Sequence, residues 1–115
     1  MLKSCASIVA QSAVILTSDG IVTVSGTTKT LSASDNGKIL YCTSGSATTV
    51  TCAAGLDVGF SCTIIQAGAG KITVAAGTAT LYTYSSLYST LGQYAIISVI
   101  SPIADTFVLA GNLGA

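Results

Sequence analysis

The stretch Ile64 to Thr78, "IIQAGAGKITVAAGT", contains a glycine-rich run ending in Gly70-Lys71, the ending of a loop that cradles phosphates. Such a loop opens with a glycine five positions before the Gly-Lys pair and places a Ser or Thr after the lysine to hold Mg²⁺. Ile65 and Ile72 occupy those two positions. The loop must also open a helix, whose N-terminal N–H groups bind the anion. The chain instead continues as Lys71-Ile72-Thr73-Val74, alternating and rich in β-branched residues, which is a strand pattern. The run Phe60 to Ile65 reads as a strand as well. "AGAG" between the two predicts a hairpin whose glycines supply positive φ.

Other chemistry is equally short of parts. The chain has no His, Glu, Arg or Trp. A general base would have to come from an aspartate, a lysine, a tyrosine or a thiol. Asp19, Asp35, Asp57 and Asp105 each adjoin a turn or a strand start, where a carboxylate satisfies turn N–H groups. "SASDNG" offers one carboxylate where a calcium loop needs several at alternate positions. The sequence therefore predicts no catalytic residues, no cofactor and no metal site, and the chain is read as a non-enzyme.

Cys5, Cys42, Cys52 and Cys62 lack a C-x-x-C pair and a histidine, which argues against zinc. Cys42, Cys52 and Cys62 fall in phase with apolar neighbours, as buried thiols do. Disulfides, within a chain or between chains, are the other reading, with Cys5 placed to reach another subunit. Tyr82, Tyr84 and Tyr88 suit a subunit interface or a shallow glycan-binding face, since tyrosine serves both.

The elements that position these residues are short strand-like runs separated by turn residues. They are Ile21 to Ser25, Lys29 to Ser32, Lys38 to Thr43, Thr48 to Cys52, Gly59 to Gln66, Lys71 to Ala75, Thr80 to Tyr84, Tyr94 to Ile100 and Thr106 to Ala110. Helix periodicity is almost absent. The expected fold is all-β, a small antiparallel sandwich or barrel of about eight to nine strands. The rhythm of about ten residues reads as hairpins, too short for a solenoid repeat. In "AIISVI", Ile97 and Val99 share one face, and Ile96 and Ile100 the other. A strand apolar on both faces is central or lies at a subunit contact. Tyr82 and Tyr84 are expected on one face of their strand, and Pro102 in the loop after "AIISVI".

Charged residues make up 7% of the 115 positions, four lysines against four aspartates, for a net charge of zero. Ordinary globular chains carry about 25%. So few ions leave little repulsion between copies, so the surface is expected to be covered by other protein. Scattered lysines make no stripe for a nucleic-acid backbone, and no apolar run is long enough for a membrane helix. Neither nucleic acid nor membrane is expected as a partner. The opening "MLKSCASIVAQSAVIL" carries an early lysine and apolar residues like a secretory leader, but Ser and Gln interrupt them. Residues 1–27 are read as an arm or first strand, with Cys5, Ile8 and Val9 as candidate contacts to a larger shell.

Several blocks resemble a module of bacteriophage tail fibres, head fibres and capsid decoration proteins. They are Asp35-Asn36-Gly37-Lys38, Thr49-Val50-Thr51, Val58-Gly59-Phe60, Ile64 to Val74, Gly92 to Ala95 and Phe107 to Leu113. The resemblance covers about residues 28 to 113 and is most specific in "IIQAGAGKITV". Cys52-Ala53-Ala54 stands where members often carry a proline-containing segment. The resemblance implies an all-β virion module over residues 28–115 that forms homotrimers, and it implies no catalytic residues. With only residues 1–27 ahead of the module, a small protein seated directly on the virion is expected rather than a long fibre. The expected role is a trimeric decoration (cement) protein or head fibre on the capsid surface. Tyr82, Tyr84, Tyr88, Ile96 and Ile100 are its candidate subunit interface. The alternative is a tail-fibre or tail-tip module that binds host-surface glycans.

Overall fold

The computed structural model describes residues 20–114. They form an all-β fold of eleven strands. In chain order these are β1 (Ile21–Val24), β2 (Thr28–Thr30), β3 (Ile39–Cys42), β4 (Thr48–Thr51), β5 (Ser61–Gln66), β6 (Ile72–Ala75), β7 (Thr80–Thr83), β8 (Ser89–Thr90), β9 (Ile96–Ile103), β10 (Thr106–Gly111) and β11 (Leu113–Gly114). All nine strand-like runs of the sequence become strands. The two that periodicity missed, β8 and β11, are two residues each.

The topology differs from the antiparallel sandwich or barrel that the sequence suggested. The chain alternates between two sheets, so β1, β3 and β5 stack in parallel in one, and β2, β4 and β6 in the other. Each coil contributes one strand to each sheet and advances the chain by about twenty residues, as a solenoid does. In one sheet the coils bring Ile21, Ile39 and Thr63 into register, and in the other Thr28, Thr49 and Thr73. The ten-residue rhythm is thus half a coil and not a hairpin. The final strands break the pattern. β8 pairs antiparallel with β6, β9 with β5, β10 with β9, and β11 with β8. β7 runs parallel to β10 at the far edge. The result is a six-stranded sheet, β1-β3-β5-β9-β10-β7, facing a five-stranded sheet, β11-β8-β6-β4-β2.

The expected hairpin at "AGAG" is a corner. β5 and β6 lie in different sheets, and this corner stacks on that of the previous coil, Thr43 to Ser46. Gly68 N–H donates to the Cys42 carbonyl at 3.0 Å and Gly70 N–H to that of Ser44 at 3.1 Å. Neither glycine has positive φ. They are glycine because a Cβ would lie 2.3 Å from the Ser44 carbonyl oxygen at residue 68 and 1.9 Å from that of Ser46 at residue 70. Corner-on-corner stacking leaves no space for a side chain.

Between the sheets one hydrophobic core forms from the inward residues of both, including Leu40, Ile64, Ile97, Val99, Phe107 and Leu109 on one side and Val50, Ile72 and Val74 on the other. Phe60 and Phe107 meet edge to face with centroids 5.9 Å apart. The polar side chains within it are matched. Thr90 is buried, donates its hydroxyl to Gln66 Oε1 and accepts the Ile72 N–H at 3.0 Å, while Gln66 Nε2 donates to the Gly68 carbonyl at 3.2 Å. This network ties β5, β6 and β8 together, since an unpaired amide there would be costly.

Pro102 is not in a loop but inside β9. Residues 101 and 102 together oppose Phe107 of β10, where the register shifts. The missing proline N–H falls at that bulge, where the ladder is already interrupted.

Cys42, Cys52 and Cys62 are buried with free thiols. Burial raises the pKa of Cys42, pushes Cys52 up to about 11, and, helped by the negative charge of Asp35, pushes Cys62 up to about 12. An ordinary thiol, such as those of the unfolded chain, titrates near 9.0. Above that pH the unfolded state loses protons that the folded state keeps, so stability falls as pH rises from about 9 towards 11, by about 1.4 kcal/mol per pH unit for each thiol so held. Urea melts at pH 8, 9 and 10 are expected to show that slope, and Cys62→Ala to flatten it. An unchanged slope in the variant contradicts the assignment.

Candidate interaction surface

The residues with chemical potential do not converge. Among the described residues no cluster of three metal-ligating groups forms and no pocket opens. Asp35 is buried, and its carboxylate accepts the Ser32 N–H at 2.9 Å and the Ser32 hydroxyl at 3.2 Å and meets Lys29 Nζ at 3.1 Å. That ion pair, unseen from sequence spacing, fastens the β2–β3 connection. Asp105 accepts the Gly55 N–H at 2.7 Å, fixing the β9–β10 turn to the loop before β5. Both carboxylates are committed to backbone and turn contacts. Asp19, Cys5, Ile8 and Val9 lie outside the described residues.

What the fold does assemble is a surface. Outward side chains of the six-stranded sheet fall into columns set by register. Tyr41, Ile65 and Ile96 align on β3, β5 and β9. Ile100, Val108 and Tyr82 align on β9, β10 and β7. Between these two apolar ridges runs a column of smaller side chains, Thr63, Ser98 and Ala110, closed at one end by Ile39 and Ile21. Ile96 and Ile100 are each 47% exposed and Tyr82 60%. None of these outward positions carries a charge.

The opposite face, on the five-stranded sheet, has another character. Thr28, Thr49, Thr73 and Ser89 align in one row, and Thr30 and Thr51 in the next. Thr73 and Ser89 share a hydroxyl hydrogen bond of 2.9 Å. One slab thus presents an apolar side and a hydroxyl side. The described charges lie in loops, at strand starts or in the Lys29–Asp35 pair.

Of the five interface candidates read from sequence, Tyr82, Ile96 and Ile100 share the apolar face. Tyr84 does not share a face with Tyr82. The strand ends at Thr83, and Tyr84 opens a 3-10 turn in which Ser85 has φ of 57°. Tyr84 is 85% exposed. Tyr88 lies just before β8, in the other sheet, its carbonyl accepting the Val74 N–H. Sequence reasoning missed Ile21, Tyr41, Ile65 and Val108. The signal was present, because "IVTV", "ILYC", "CTIIQ" and "FVLA" each put apolar residues on both parities, as "AIISVI" does.

The turn between β8 and β9 holds Tyr94 in a conformation that favours glycine. The Ala95 N–H donates to the Gly92 carbonyl at 3.0 Å, and Tyr94, third in that turn, has φ of 67°. Tyr94 is 67% exposed and so contributes little burial. Tyr94→Gly is expected to raise stability by about 0.5–1 kcal/mol, the relief of left-handed strain outweighing the added freedom of the unfolded chain. Equilibrium urea unfolding checks this, and a destabilised variant contradicts it.

No protein-family model matches the chain, and no curated protein matches it.

Proposed function

We propose that this chain is a structural protein of a bacteriophage virion, a trimeric decoration (cement) protein or head fibre that stabilises the capsid through subunit and shell contacts. The observation that carries this reading is the uncharged apolar face of the six-stranded sheet. An apolar surface of that kind commonly marks a contact site for other protein. The resemblance of "IIQAGAGKITV" and the flanking blocks to phage virion modules supports the same reading, as does a chain with so few ions. Burial returns roughly 25 cal/mol per Å² of apolar surface before association costs, and repetition over a symmetric shell multiplies small gains.

The test is to prepare capsids lacking the protein and add it back. Bound protein at fixed stoichiometry and a higher temperature of capsid rupture are expected. Capsids that neither bind it nor gain stability overturn the reading. The exposed rings of Tyr82 and Tyr84 support a second reading, a fibre-tip module that binds host-surface glycans. Glycan-array binding that Tyr84→Ala abolishes would favour it.

A further inference from the structure

We infer that Asn36 is a covalent modification site which the fold keeps silent. In the open chain its side chain is converted through a succinimide to aspartate and isoaspartate, and in the native turn that reaction is blocked. The chemistry belongs to the chain itself and does not depend on the virion role.

The reaction needs only water. The Gly37 backbone nitrogen attacks Asn36 Cγ, a C–N bond forms, the Cγ–Nδ2 bond breaks, and ammonia leaves with the Gly37 amide proton. Water then opens the ring at either carbonyl. One product is aspartate, and the other is isoaspartate, in which the main chain runs through the former side chain. A glycine after the asparagine puts no side chain in the way of the attack. The fold cannot replace Gly37 by a bulkier residue without strain, because its φ is 74°. Asn36 has φ of −60° and ψ of 128°, and the Lys38 N–H donates to the Asp35 carbonyl at 3.0 Å. Asp35 to Lys38 thus form a type II turn, whose third position favours glycine. The residues that make the turn are the ones most open to the reaction.

Burial does not protect the pair, since both residues are exposed. Conformation does. Ring closure needs the Gly37 nitrogen brought round to near-contact with Asn36 Cγ. Both reacting groups are instead tied to one residue at the start of β5. The Gly37 N–H donates to the Ser61 carbonyl at 2.7 Å, and Asn36 Oδ1 accepts the Ser61 N–H at 3.2 Å. The extended ψ of Asn36 also turns the Gly37 nitrogen away from Cβ. Rotating it back unmakes the type II turn and breaks the Gly37–Ser61 bond. Attack therefore waits for the turn to detach from β5, and its rate follows the population of the opened state. The isoaspartate product adds a main-chain carbon between residues 36 and 37. That displaces Gly37 and Lys38 relative to β5, where the Lys38 carbonyl accepts the Thr63 N–H at 3.1 Å. A chain that has reacted while open refolds with a weaker join between these coils.

The test holds the full-length protein at pH 8 in buffer and in guanidinium chloride and maps deamidated and isoaspartate-containing peptides by mass spectrometry. Conversion at Asn36 is expected to be at least about tenfold slower in buffer than in denaturant. Asn112, the other asparagine, is followed by Leu113 and serves as the slow reference in denaturant. After return to buffer, the urea midpoint is expected to fall with the time spent unfolded. Asn36→Gln, whose extra methylene disfavours ring closure, is expected to regain its own starting midpoint however long it was unfolded. Three results overturn the assignment: equal rates in buffer and denaturant, no excess of conversion at Asn36 over Asn112 in denaturant, or a midpoint that holds while isoaspartate accumulates at residue 36.

Discussion

Gly70→Ala loses about 3 kcal/mol of folding stability, measured as a fall in the urea midpoint at unchanged slope. A methyl group at this position would lie 1.9 Å from the Ser46 carbonyl oxygen and 2.5 Å from its carbon. Both are backbone atoms of the neighbouring corner, so no side chain can swing aside. Relief requires the two coils to separate. That lengthens the bond from the Gly70 N–H to the Ser44 carbonyl and the nearby one from the Thr48 N–H to the Lys71 carbonyl, now 2.9 Å. Gly26→Ala is the internal control, because its methyl group would meet nothing within 4 Å. It is expected to change stability by no more than about 0.5 kcal/mol. Equal effects at the two positions would mean that the coils are not stacked as described.

Phe107→Ala is expected to cost about 3–5 kcal/mol, the range for emptying a buried aromatic site. Phe107 is 1% exposed on β10 and its ring meets that of Phe60 edge to face. Removing it deletes that pairing as well as the burial. The cavity would lie beside the β9 bulge, where residues 101 and 102 already interrupt the ladder, so the strands have little regular structure with which to close the gap. Phe107→Leu, which keeps most of the volume, is expected to lose less than half as much. If Ala and Leu cost the same, the edge-to-face contact and not the volume is what matters there.

The strands were legible because period-two alternation depends only on the neighbours along the chain. "KITV" and "TTVTC" declare their inward residues whichever strand lies beside them. Topology was not legible in the same way. A coil corner and a hairpin both call for small residues between two strands, and "AGAG" satisfies either. What separates them is a neighbour from the previous coil, the carbonyls of Ser44 and Ser46, and no local pattern names it. Tyr84 was misplaced for a related reason. Alternation carried on past Thr83, whereas the chain there leaves the sheet to reach the opposite one. The apolar face was half legible. "AIISVI" announced two apolar sides, but that Ile65, Ile96 and Tyr41 make one ridge depends on pairings between strands far apart in the chain, which alternation cannot supply.

The sealed sulfhydryls of Cys42, Cys52 and Cys62 have a consequence for manufacture. A sheet stack held by close packing and backbone ladders, with its sulfur atoms protonated and out of reach, matures without an oxidant. Residues 20–114 can therefore attain their final form wherever they are synthesised, in a reducing cell interior as readily as outside it.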